Sequence, residues 1–356
     1  MVRIGIISPY SLTLPGGVQG QILGLARALR SAGHDVRVLG PCDGPPPDAG
    51  VTPLGNSVPT MANGSVAPIA PDPSAQLRTI RALRDEAFDV VHVHEPLCPG
   101  PTQTAMFFKT APLVGTFHAA GSSKAYTWFS PGVKWLSKKL DLRVAVSEDA
   151  ERMARRALGG SYTVLFNGVE IEAFSKATPW PTEGPTIFFI GRHEPRKGLA
   201  VLLEAMTDLS SHVRLWIAGD GPEAEMLRQR VAGDARIEWL GRITDEEKAS
   251  RLVAADAFCA PSLHGESFGV VLLEAMAADT PIVASDLPGY SNVARLGRDA
   301  LLVPPGDSAQ LAEGLRRVLT DASLAAGLVA SGGQRAQELS MERLAERHLE
   351  LYRTIV

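Results

Sequence analysis

The chain has 356 residues, 45% apolar and 21% charged, a balance that excludes a disordered, fibrous or coiled-coil protein and leaves room for two domain cores. Lys and Arg number 35 against 39 Asp and Glu; the net charge of -4 excludes whole-molecule steering to nucleic acid and confines any contact with an anionic surface to local patches. The widely spaced Cys42, Cys98 and Cys259 exclude a disulfide scaffold or a zinc motif, and no apolar run reaches the roughly 18 residues of a membrane span, so a cytoplasmic protein is expected.

In chain order, a β-branched run predicts a strand at 2–7, followed by a helix over 19–31 with Ile22, Leu23, Leu25, Ala26 and Leu29 buried. Strands follow at 35–39, 90–94, 113–117 and 142–147, which makes one Rossmann-like half. Within it, the Pro- and Gly-rich stretch 40–73 reads as an irregular excursion with little helix. Asp72-Pro73 is an N-cap and first-turn pair for a helix through 87, with Leu77, Ile80 and Leu83 on one side and Arg78, Arg81 and Arg84 as a stripe beside it. After a hinge between 164 and 185 the pattern restarts, with strands at 186–190, 213–218, 237–240, 257–260, 281–284 and 301–303. A terminal amphipathic helix at 341–355 aligns Leu344, His348, Leu351 and Ile355. The fold class is α/β, with two Rossmann-like domains of parallel sheet.

Chemistry gathers where strands end. The loop Pro15-Gly16-Gly17-Val18 lets backbone approach a ligand, and the helix start behind it favours an anion such as phosphate; a tight turn with no ligand reads equally well. Arg192, Arg196 and Lys197 place three cations in six positions after a strand, which suits a multiply charged phosphate. Glu266 and Glu274, eight residues apart at the start of a helix, are too far apart to share one atom and suit different parts of a long ligand. The same stretch spells the G-x-S-x-G of hydrolases, with Ser267 as nucleophile, but only His348 follows as a possible base. His92 and His94 share a strand face, as metal ligands or as buried, hydrogen-bonded histidines, and His118 ends another strand.

The ordered set formed by Pro15-Gly16-Gly17-Val18, Val91-His92-Val93-His94-Glu95-Pro96, Thr116-Phe117-His118, Asn167-Gly168-Val169, Gly191-Arg192 with Arg196-Lys197-Gly198, Ala218-Gly219-Asp220-Gly221-Pro222, and Glu266 with Glu274 resembles the retaining family-four glycosyltransferases over nearly the whole chain. Within that family it is most similar to the actinobacterial phosphatidylinositol mannosyltransferases, through Asn63-Gly64-Ser65, His94-Glu95-Pro96, Gly265 to Gly269, and Glu274 to Ala278. The resemblance implies a GT-B enzyme, with an acceptor domain at 1–170 joined by a returning helix at 341–356, and a donor domain at 171–340 facing it across a cleft. Its donor would be GDP-mannose and its acceptor the inositol ring of phosphatidylinositol. No cofactor is implied, and a divalent ion is stimulatory at most, with no dedicated site.

By position, the resemblance implies that Arg192 and Lys197 neutralise the diphosphate and that Gly16 and Gly17 meet its distal phosphate. It gives the ribose to Glu274, the sugar to Glu266 with Ser267, Phe268, Gly269 and Val270, and the base to Ile243, Asp245 and Lys248. His118 stands beside the anomeric carbon, with Tyr10, Asn63, Ser65 and His118 toward the acceptor. Ala62, Pro68, Leu97 and Cys98 depart from the family pattern near the acceptor. A family-four enzyme with another nucleotide sugar and a soluble or other lipid acceptor is therefore the alternative, ahead of the hydrolase and of a non-enzymatic nucleotide-binding module. Two basic stretches, the Arg78, Arg81 and Arg84 stripe and the aromatic-rich run from Lys124 to Arg143 with Lys134, Lys138 and Lys139, suit peripheral attachment to the inner face of the cell membrane, or are ordinary solvated helix faces.

Overall fold

The structure, a computed structural model, describes residues 1–62, 65–119 and 130–356, with backbone alone at 61–62, 65–66 and 130–131. It divides into two compact units, Met1–Gly168 with Met341–Val356, and Val169–Ser340.

In the first unit the strands β1 (Arg3–Ile7), β2 (Asp35–Gly40), β3 (Val51–Pro53), β6 (Val90–His94), β7 (Leu113–Phe117), β8 (Leu142–Ala145) and β9 (Thr163–Val164) form a parallel sheet in the order β3-β2-β1-β6-β7-β8-β9. The excursion is less irregular than expected, because β4 (Val58–Ala62) and β5 (Ser65–Ile69) pair antiparallel as a separate hairpin. In the second unit β10 (Thr186–Ile190), β11 (Arg214–Ala218), β12 (Ile237–Gly241), β13 (Ala257–Ala260), β14 (Ile282–Ser285) and β15 (Leu301–Val303) run parallel in the order β12-β11-β10-β13-β14-β15. In both sheets the strand order reverses beside the first strand, at β1/β6 and at β10/β13. Such switch points, at the carboxyl ends of the strands, are where open α/β sheets place ligands.

The two-residue period of a strand decides which face each side chain meets. On one face of the first sheet, Ile4, Ile6, Val90, Val114 and Val144 pack with Leu25, Leu29 and the terminal helix Met341–Tyr352; on the other, Ile7, Val91, Val93, Leu113 and Phe117 form a second core. The terminal helix therefore belongs to the first unit. Its buried line is Met341, Ala345, His348, Leu349 and Tyr352, while Leu344, Leu351 and Ile355 sit at its margin, so the predicted face is rotated by about one residue.

Other departures are local. The first helix starts at Gly17, and Gln21 rather than Leu23 is buried, because its amide both donates to the Gly168 carbonyl at 2.8 Å and accepts from the Gly168 N–H at 2.9 Å. Ser147 is not in a strand; its hydroxyl caps the helix Glu148–Leu158 by accepting from Ala150 N–H. Asp72 does cap the helix Pro73–Asp85, two residues shorter than expected, but its inner face is Ala75, Thr79 and Leu83, and Leu77 is 67% exposed. The arginine stripe also splits: the Arg78 guanidinium donates to the Leu54 carbonyl at 2.6 Å, whereas Arg81, among the described residues, pairs with Asp85 of its own exposed helix face.

Candidate functional site

In the second unit the cations follow β10. A 3-10 turn, Pro195–Lys197, leads into Gly198, whose φ of +68 lies in the left-handed region; a Cβ there would stand 1.9 Å from the Pro261 carbonyl oxygen, so only glycine lets this turn press against the end of β13. The close approach brings the β10 loop beside the β13 loop. Lys197 Nζ lies 2.6 Å from Glu266 Oε1, and Arg196 lies 3.6 Å from the same oxygen and 2.6 Å from Glu194. Glu194 also faces Arg192 at 3.7 Å, and the Arg192 side chain stays about half exposed. Glu266 is oriented by a relay, in which the Tyr290 hydroxyl donates to Ser262 and the Ser262 hydroxyl donates to Glu266 Oε1, at 3.0 and 2.9 Å.

The helix expected to carry both glutamates starts only at Val270, so Glu266 is a loop residue and Glu274 alone is helical. Gly269, with φ +91, turns the chain into the helix; Phe268 is buried as its anchor, and the unbonded N–H end of the helix follows from Val270 onward. Glu274 accepts from Lys248 at 2.8 Å, and Lys248 also meets Asp245 at 2.9 Å. Burial alone would lower the pKa of the Lys248 ammonium, but the carboxylates of Glu274 and Asp245 outweigh it and raise the pKa. Thr244 caps the helix bearing Asp245 and Lys248, and half-buried Ile243 precedes the cap. The cations expected at the diphosphate thus follow β10, the residues expected at the base follow β12, those expected at the sugar follow β13, and Glu274, in the helix beyond, meets Lys248.

In the first unit, Gly16 and Gly17 are exposed at the N-terminus of the helix that follows β1, with open space where a Gly17 side chain would stand. His92 and His94 face the side on which the terminal helix packs. His92 is bonded through Nδ1 to the Tyr352 hydroxyl and through Nε2 to the Thr116 hydroxyl, at 2.7 and 2.6 Å, and its ring stacks on that of His94. They are buried, hydrogen-bonded histidines, with no nitrogen of His92 left for a metal. Among the described residues no group of three His, Cys, Asp or Glu side chains is arranged to hold an ion. His94 Nδ1 meets His118 Nε2 at 2.8 Å. Burial, reinforced by His348, pushes the His118 pKa down to about 3, and burial takes His348 down to about 4, so both rings are neutral at pH 7. Tyr10 sits in the loop after β1, its phenol pKa raised by burial and then by the Glu95 carboxylate. Asn63 lies outside the described residues, and of Ser65 only the backbone is described, at the start of β5.

Ser267 stands in the loop seven residues beyond the end of β13 and three before the helix, not on a strand-to-helix elbow. His348, the only later histidine, is buried in the other unit against His92 and Tyr352, which removes the hydrolase reading. Sequence reasoning missed Glu194, Ser262 and Tyr290. Their signal was only positional, in that each lies just beyond a strand end of a switch-point sheet.

On the basic stretches, the helix Ser130–Ser137 presents exposed Lys134 and a Trp135 that is 53% exposed, and Lys138 follows it, also exposed. Lys139 lies 4.7 Å from the Trp135 ring centre and 5.7 Å from that of Phe107. Phe107 and Phe108, 53% and 46% exposed, extend this patch beyond what the sequence suggested. Residues 120–129, with Lys124, Tyr126, Trp128 and Phe129, lie outside the described residues. No described helix is long and apolar enough to cross a membrane.

Residues 15–173 match the model of Glycosyltransferase Family 4, and residues 184–321 that of Glycosyl transferases group 1. The phosphatidyl-myo-inositol mannosyltransferases of Mycobacterium leprae and Mycolicibacterium smegmatis are both 39% identical, over 99% of this chain and 97% and 94% of theirs. Among solved structures, sucrose-phosphate synthase from Thermosynechococcus elongatus superposes with a TM-score of 0.75 at 22% identity, covering 99% of both chains. Anabaena HepE in complex with UDP-glucose superposes with a TM-score of 0.76 at 19% identity, covering 99% of this chain and 100% of its own, which shows the shared GT-B fold. The chain belongs to the family-four glycosyltransferases, among the phosphatidyl-myo-inositol mannosyltransferases.

Proposed function

We propose that the protein transfers mannose from GDP-mannose to the inositol ring of phosphatidylinositol, with retention at the anomeric carbon and without a resident metal. The supporting observation is that the likeness to the mannosyltransferases runs through both units, over 99% of the chain, rather than through one half alone. In this reading Arg192 and Lys197 hold the diphosphate, the helix start at Gly16 and Gly17 receives its distal phosphate, and Glu274 holds the ribose. Ile243, Asp245 and Lys248 border the base, Glu266 with the chain from Ser267 to Val270 holds the sugar, and Tyr10, Asn63, Ser65 and His118 attend the acceptor.

The chemistry follows from charge. Breaking the sugar-phosphate bond leaves negative charge on the phosphate and positive character on the sugar. Fixed cations beside the phosphate lower that barrier, one such preorganised partner being worth about 2.7 to 4 kcal/mol. Lys197 is held in place by Glu266, and its ammonium has further N–H donors to offer. The departing phosphate oxygen then takes the proton of the attacking inositol hydroxyl on the same face of the sugar. Peripheral attachment to an anionic cytoplasmic leaflet would use Arg81, Arg84 and the Phe107, Trp135 and Lys139 patch, at about 1 kcal/mol per surface cation.

Incubation with radiolabelled GDP-mannose, UDP-glucose and other sugar nucleotides, with and without phosphatidylinositol vesicles, tests this reading. A mannolipid formed only from GDP-mannose and phosphatidylinositol is expected. Transfer from another donor to a soluble acceptor, with phosphatidylinositol ignored, overturns it in favour of another family-four specificity.

A further inference from the structure

Two consecutive residues at the end of β6 hold one residue at the end of β7. Glu95 Oε1 accepts the backbone N–H of His118 at 2.8 Å and that of Ala119 at 2.6 Å, which fixes the main chain. His94 Nδ1 engages His118 Nε2, which fixes the ring. Glu95 is one of few non-glycine residues in the left-handed region, with φ +45, a conformation that a bulky side chain keeps only where its surroundings impose it. The turn that strains Glu95 is also what aims its carboxylate at the neighbouring strand while His94 aims its ring there.

We infer that His94 and Glu95 are the positioning residues of His118, and that His94 sets the tautomer that His118 presents to substrate, with the proton on Nδ1. His94 Nε2 is buried and has no hydrogen-bond partner among the described residues. A buried N–H without an acceptor is costlier than a buried lone pair without a donor, so the His94 proton belongs on Nδ1, where it is donated to His118 Nε2. His118 Nε2 is thereby an acceptor, and its own proton stands on Nδ1, which makes no hydrogen bond among the described residues and can donate to a sugar or acceptor hydroxyl. A neutral donor suits that place, since a fixed cation would oppose positive charge growing on the sugar. The terminal helix closes the arrangement from behind, as His348 and Tyr352 pack on His92, which stacks on His94.

This rests on the proposed place of His118 beside the transferred sugar, but its first test needs no turnover. In the whole protein labelled with 15N-histidine, two-bond nitrogen–proton spectra at pH 7, assigned with a His118→Gln variant, read the tautomer. The expected result is a protonated Nδ1 and a bare Nε2 on His118 in the wild type, and a mixture of tautomers in His94→Phe. In transfer assays His94→Phe should lower kcat by roughly 10- to 100-fold, the scale of a misplaced reacting group, with KM for the sugar nucleotide within about twofold. His94→Asn, whose amide can occupy the Nδ1 position, should restore part of the loss. Glu95→Ala should follow His94→Phe, and Glu95→Gln, which keeps an acceptor oxygen, should resemble the wild type. A proton on His118 Nε2 in the wild type, or a His94→Phe protein that folds and keeps both tautomer and kcat, overturns the inference. Should His94→Phe not fold, the wild-type spectrum and the His94→Asn rates decide. Failure to mannosylate phosphatidylinositol would sink the proposed function and leave the spectrum untouched.

Discussion

At the ends of β6 and β7 the polar groups are neutral imidazoles, hydroxyls and one carboxylate tied to backbone N–H groups; at the ends of β10 and β13 ion pairs dominate, with a hydroxyl relay behind Glu266. The two units share a strand order around their first strands and the same switch-point placement, so the contrast lies in the loops rather than in the scaffold. In the proposed reading the diphosphate brings charge that is met by charge, whereas the acceptor brings hydroxyls that are best met by oriented dipoles. One sheet plan has been fitted with two kinds of electrostatics.

The sharpest way to break this contrast is on the ionic side. Lys197→Ala should lower transfer by roughly 10² to 10³ while the far-ultraviolet circular dichroism stays unchanged, since it removes one preorganised cation from the developing phosphate charge. Initial rates at saturating donor check it, and equal rates would take Lys197 out of the proposed diphosphate site. Glu274→Ala should act mainly on binding, raising KM for the sugar nucleotide. It also strips Lys248 of its 2.8 Å partner and should cost about 1 to 3 kcal/mol, read as a lower Tm.

Acid sharpens the contrast from the neutral side. His92, His94, His118 and His348 all have pKa values lowered by burial, so the folded state resists their protonation while the unfolded chain takes up protons below about 6.5. Their contribution is complete above that pH and is lost as pH falls toward about 4 and then about 3, the values for His348 and His118. Hydrogen exchange at pH 7 and pH 5 should show protection falling in β6, β7 and the terminal helix before it falls in β10 and β13. Simultaneous loss in both units would refute a separate acid sensitivity of the first.

Smaller effects are expected at the surface. Replacing Arg81 and Arg84 with Ser should weaken co-sedimentation with anionic vesicles by up to about 2 kcal/mol at low salt. Arg78 should be omitted, because its bond to the Leu54 carbonyl makes it part of the fold. Least of all, Ser267→Ala should leave transfer nearly unchanged in the same rate assay, since His348, the one histidine after it in sequence, is buried against His92 and Tyr352.

The strands were legible because alternating β-branched runs bounded by Gly and Pro leave few other readings, and the strand-end motifs were legible because parallel sheets gather chemistry there. The hairpin was missed although Asn63-Gly64 between paired ends, Ala62 and Ser65, is a strong two-residue turn signal; Pro59 and Pro68, which pair across it, disguised the strands as loop. Leu77, Ile80 and Leu83 were grouped on one side of their helix by apolarity, while the small residues Ala75 and Thr79 had the spacing that, with Leu83, is buried. The hold on His118 was hidden for another reason. His94, Glu95 and His118 lie 23 or 24 residues apart, and only parallel register, which sets His94 against Thr116, makes them neighbours.

The first unit is discontinuous in the chain, and that has a consequence on the ribosome. Its sheet face under Val90 and His92 is closed by Leu349 and Tyr352, which are made only after the whole second unit. A nascent first half must therefore wait with an apolar face and the His92 ring open, the kind of surface that chaperones bind. Release of a chain stopped at Ser340 would leave a second unit able to fold on its own core and a first unit without its last wall. The helix Met341–Tyr352 acts as a completion signal for the first unit, so a copy stopped before it should be cleared by proteases rather than persist as a half-active transferase.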